Sequence, residues 1–146
     1  MRRVGLLPRI LPIGLLLAAG ACGPGPHAPA LDELRCRNGD AACQSSSDPF
    51  LLELEVDLVD PDGDLMGGAL QRFLDGQLLG DREPLDALLR AGGMTAGTTE
   101  GTLPVDLGLE LSELRDGMRI EVAVQIEDAA GHASNRPALV LELTLR

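Results

Sequence analysis

The chain has 146 residues and a formal net charge of -11, and all 12 of its basic residues are arginine. That balance excludes nucleic acid and anionic lipid headgroups as partners held by charge, and the length allows one domain with a real core but not two ordinary ones. Trp and Tyr are absent and Phe50 and Phe73 are the only aromatics, so the core has to be built from Leu, Val and Ile.

The first element in chain order is an export signal over residues 1–21. Arg2, Arg3 and Arg9 form a basic start, and the apolar run from Ile10 to Ala19 has secretory proportions while being too short for a permanent membrane span. Ala19-Gly20-Ala21-Cys22 resembles the lipobox of bacterial lipoproteins, which implies that the Cys22 thiol receives a diacylglyceryl group and that the new N-terminus is acylated with chains such as palmitate. The same three small residues also fit the A-x-A site of ordinary signal cleavage, and the family's usual Leu is replaced by Ala19. Cysteine parity favours lipidation: the chain has 3 cysteines, so acylating Cys22 leaves Cys36 and Cys43 as an even pair. Several acyl chains at about 0.8 kcal/mol per buried CH2 make a durable membrane anchor. Gly23 stands where some bacterial lipoproteins carry the aspartate of inner-membrane retention, which favours the outer membrane, with the domain facing the periplasm or the exterior.

Residues 22–49 read as a tether. Gly23-Pro24-Gly25-Pro26-His27-Ala28-Pro29 has no apolar periodicity and favours an extended, solvated chain. Leu31 and Leu34, with charges between them, fit a helical turn. Cys36 and Cys43 flank an Asn38-Gly39 turn signal and are expected to close a small disulfide loop in an oxidising compartment. Two thiols with no nearby histidine give too few ligands for structural zinc. Ser45-Ser46-Ser47-Asp48-Pro49 ends the tether.

From Phe50 the apolar period becomes two. Leu52, Leu54, Val56 and Leu58 alternate with Glu53, Glu55 and Asp57, as in a strand with one buried face. Ala69–Leu74 and Gln77–Leu79 flank Asp75-Gly76, a two-residue hairpin signal. Pro84 to Ala91 is the one helix expected, with Leu85, Leu88 and Leu89 at helical spacing and Gly92 as its stop. Val105, Leu107, Leu109 and Leu111 form another alternating run. Ile120, Val122, Val124 and Ile126 follow the Asp116-Gly117 turn signal, and Leu139, Leu141, Leu143 and Leu145 close the chain.

Short strands with frequent turn signals and no strand-helix alternation predict an all-β antiparallel sandwich over residues 50–146, with a small barrel as the other arrangement. Val59-Asp60-Pro61-Asp62-Gly63-Asp64, the Phe73-Leu74-Asp75-Gly76 hairpin and Ile126-Glu127-Asp128-Ala129-Ala130-Gly131-His132-Ala133-Ser134-Asn135 resemble immunoglobulin-like, fibronectin III-like or cadherin-like modules of bacterial surface proteins. The resemblance implies an immunoglobulin-like β-sandwich whose last two strands are joined by the Asp128–Asn135 turn. The strand-C Trp, tyrosine corner and inter-sheet disulfide of immunoglobulin domains are missing here.

The acidic cluster Asp57, Asp60, Asp62 and Asp64 carries the sharpest chemistry. Alternate aspartates on a tight loop can converge on one calcium ion, and Asp128 is expected to join Asp60, Asp62 and Asp64 from across the sheet end. The competing reading is a bare turn, since Asp and Gly are what turns use. The loop is not an EF-hand, because its twelfth position is Gln71. No catalysis is expected: His27 lies in the tether, His132 in a turn, and Asp128, His132 and Ser134 are too close in sequence to form a relay easily. The expected function is a lipid-anchored cell-envelope module, structural or protein-binding, whose partner is an envelope protein. The alternatives are a calcium-stabilised adhesion-type module and an accessory subunit of an envelope enzyme.

Overall fold

The computed structural model describes residues 25–39, 41–110, 112 and 114–145; the expected export signal over residues 1–21, the expected lipidation site Cys22 and Leu111 lie outside the described residues. The elements follow in the order β1 (Ala30–Cys36), β2 (Leu51–Leu52), β3 (Leu54–Val59), β4 (Ala69–Leu74), β5 (Gln77–Pro84), α1 (Leu85–Ala91), β6 (Glu100–Pro104), β7 (Leu107–Gly108), β8 (Arg119–Glu127) and β9 (Ala138–Glu142). Among the described residues every strand pairing is antiparallel. One sheet has the order β1-β3-β6, the other β5-β4-β8-β9. The short β2–β7 ladder continues the β3–β6 pair in the same register, and the Val105 N–H donating to Leu54 O at 2.9 Å bridges the break between them.

The period-two runs at residues 52–58, 120–126 and 139–145 supply strands as their pattern predicts. The run from Val105 is a strand only at Leu107–Gly108 among the described residues, and β6 forms just before it, over Glu100–Pro104, where the alternation gives no signal. Leu52, Leu54, Val56 and Leu58 from one sheet and Ile120, Val122, Val124 and Ile126 from the other are buried in a single apolar cluster, which Leu103, Val105, Leu107, Leu141 and Leu143 extend. Polar residues of the same strands fall on the outer faces, the alternation of a half-buried sheet. This is an all-β, antiparallel sandwich-like fold with one short helix.

Local signals hold at the turns. Asp75 (φ 48) and Gly76 (φ 78) both adopt left-handed backbone, as a type I′ hairpin requires. Helix α1 begins directly after Pro84 and stops at Gly92, whose N–H donates back to Leu88 O at 2.9 Å; its buried Leu85 and Leu89 cover one end of the core.

The tether is shorter than the sequence suggests. Residues 30–36 are strand β1, paired with β3 from Ala30↔Val59 to Cys36↔Leu54, so the folded unit starts some twenty residues before Phe50. The helical turn expected at Leu31 and Leu34 is also replaced by this strand. Its register slips between Leu31 and Leu34, leaving Asp32 and Glu33 both exposed while both leucines are buried. A bulge adds one residue to a period of two and so reproduces the spacing of three that a helix also has. The expected disulfide is present, Cys36 bonded to Cys43, with Cys43 fully buried in the core. Beyond it, the Ser45 N–H donates to Leu51 O at 2.8 Å and the Glu53 N–H to Cys43 O at 2.7 Å, which ties residues 43–53 onto the sheet.

Candidate functional site

Strand β3 ends at Val59, and Asp60 turns inward at the head of the loop leading to β4. It is 0% exposed. Its N–H donates to Thr99 O at 2.7 Å, and its Oδ2 accepts the Asp64 N–H at 2.8 Å, an Asx-type contact that folds the loop back on itself. Gly63 makes this possible with φ 67, and its backbone lies against Gly97 so closely that an added Cβ would stand 3.0 Å from Gly97 O. The loop then reaches the other sheet, where the Ala129 N–H donates to Asp64 O at 3.0 Å.

Asp128 follows directly after β8. Its Oδ1 accepts the His132 N–H at 2.8 Å and its Oδ2 lies 2.9 Å from His132 Nδ1, so the β8–β9 turn closes around this carboxylate. One carboxylate oxygen from each of Asp60, Asp64 and Asp128 lies within 4.8 Å of the other two. The expected gathering of Asp128 with the Asp60–Asp64 loop is therefore present in the geometry. Burial pushes the Asp60 carboxyl above its ordinary range, opposed by the Asp64 and Asp62 backbone N–H groups and reinforced by the charges of Asp64 and Asp128.

Asp62 does not join the trio. It is exposed and points outward, where His27 Nδ1 stands 3.1 and 3.2 Å from its two carboxylate oxygens. The His27 and His132 rings lie with centroids 6.3 Å apart. The end of the tether thus passes directly beside the acidic loop, a placement for which neither histidine's sequence neighbours give a signal. Asp57 is separate as well: it faces the outer surface of the sheet, bound to Arg35 and Thr102.

The Asp128, His132 and Ser134 neighbours do not form a relay. Ser134 is buried, accepts the Ile126 N–H at 3.0 Å and donates its hydroxyl proton to Asn135 O at 2.6 Å, which uses it as a fastener for the turn. Asn135, absent from the sequence-based candidates, accepts the Leu31 N–H and donates to Leu31 O, each at 2.7 Å. A single amide thereby stands in for a neighbouring strand and joins β1 to the β8–β9 turn. No protein-family model matches the chain, and no curated protein matches it.

Proposed function

We propose that this protein is a membrane-anchored cell-envelope lipoprotein whose β-sandwich serves as a structural or protein-binding module and carries no catalysis. The observation that supports the reading is the order of parts: a signal-like, lipobox-like sequence over residues 1–22 stands about eight residues before the first strand of the folded unit. Eight residues reach roughly 28 Å at full extension, so a lipid on Cys22 holds the sandwich close against the membrane surface. The charge of -11 points to a protein partner rather than nucleic acid. Edge strands β5 and β9 offer Leu78 and Val140, 53% and 52% exposed, beside unpaired backbone suited to strand addition.

The test is palmitate labelling of the full chain in a bacterial host, with detergent-phase partition. The wild type is expected to take up label and partition with detergent, and Cys22→Ala to lose both. An unlabelled wild type in the soluble periplasmic fraction rejects the anchor.

A further inference from the structure

Asp60 is 0% exposed and its Oδ1 has no hydrogen-bond partner; Asp64 Oδ1 is likewise buried and unpartnered. Buried polar atoms in folded proteins are nearly always satisfied, and an ionised oxygen cut off from both water and donors is the most costly exception. These two orphaned oxygens belong to carboxylates that converge with that of Asp128, so repulsion between like charges adds to the loss of solvation. Both Asp128 oxygens already accept hydrogen bonds from His132, and each keeps a second lone pair for a further partner.

A cation at the centre of the trio answers all of these features at once. The donors are oxygen only, which suits a hard divalent ion and not zinc or copper. Magnesium keeps most of its water and takes one or two carboxylates, whereas calcium accepts several together with carbonyls and water. We propose that Asp60, Asp64 and Asp128 bind one calcium ion, which fastens the β3–β4 loop of one sheet to the β8–β9 turn of the other. The ion then also braces the loop that carries Asp62, and with it the contact to His27 at the end of the tether. The proposal needs only the folded sandwich and stands or falls apart from the lipid anchor.

The experiment uses the full chain, purified in detergent and stripped with chelator, titrated calorimetrically with calcium chloride and melted with and without 100-fold excess over the measured Kd. One ion per chain and a rise of several degrees in Tm are expected. Asp60→Asn, nearly isosteric, is expected to hold or raise the Tm of the metal-free protein, because it removes a buried charge, while abolishing both the heat and the calcium-dependent rise. Asp128→Asn is expected to weaken binding at least tenfold, and Asp57→Asn, on the outer face, to leave it unchanged. No binding by the wild type at 10 mM calcium overturns the proposal, as does binding that survives in Asp60→Asn or that magnesium matches at equal concentration.

Discussion

Arg35 holds Asp57 through two parallel hydrogen bonds of 2.6 and 3.0 Å, and Thr102 donates a third at 2.6 Å, so one carboxylate links β1, β3 and β6 across the outer face of their sheet. The Arg35 bonds first, then that from Thr102, hold the Asp57 carboxyl below the ordinary carboxylate range. A carboxyl that is more acidic folded than unfolded contributes stability above its unfolded pKa, and the contribution disappears as the pH falls through the folded value. The Asp57 side chain is 44% exposed, so solvent screening limits the effect to about 0.5–1 kcal/mol. Asp57→Asn is expected to be less stable than wild type by that amount at pH 7, with the gap closing below the ordinary carboxylate range and narrowing in high salt, as denaturant melts at several pH values will show. Only three positions further along, Asp60 has the opposite character: buried, with its Oδ1 unpartnered, and shifted upward. Nothing in the composition of the segment separates the two. Asp57 sits on the solvent side of a strand, whereas Asp60 lies past the strand end, where the chain turns inward over the core.

At the scale of elements, the loop from Asp60 to Gly68 decides the geometry of the acidic trio. Gly68 passes so close to the end of β8 that an added Cβ would stand 2.2 Å from Glu127 O and 2.9 Å from Leu65 O, both backbone atoms that cannot swing away. The Gly68 carbonyl also accepts the Leu85 N–H at 3.0 Å, so the same residue positions the start of α1. Gly68→Ala is expected to cost about 3 kcal/mol, the range of a core overpacked with no room to relax, and to lower Tm measurably in a thermal melt. The hairpin at Asp75-Gly76 and the stop of α1 at Gly92 were legible in the sequence because local backbone chemistry alone demands those residues there. Strand β1 was not, since its bulge imitates helical spacing and its charges resemble those of a solvated tether. Its identity depends on a partner, β3, that supplies the hydrogen bonds.

For the molecule as a whole, the boundary of the folded unit is the quantity most open to test. A chain beginning at Phe50 lacks β1, the Cys36–Cys43 bond and the buried Leu31, Leu34 and Cys43, and it leaves β3 as an open edge. Such a chain is expected to give no cooperative far-UV circular dichroism melt, whereas one beginning at Gly25 melts cooperatively; equal melts would return residues 25–49 to the role of a tether. The amino-acid order by itself determined the β class, the strands β3, β4, β8 and β9, the hairpin and the short helix, whereas β6 (Glu100–Pro104), which has no alternating apolar run, was set by its pairing with β3. Each of the former follows from periodicity or from the backbone preferences of a few adjacent residues, which act over short range. Tertiary structure alone decided that β1 belongs to the sandwich, that Asn135 clamps Leu31, and that Asp62 turns to His27 and leaves the trio to Asp60, Asp64 and Asp128. Those contacts join residues far apart in the chain, and they exist only because two sheets pack face to face and bring the ends of β3 and β8 to the same edge of the core.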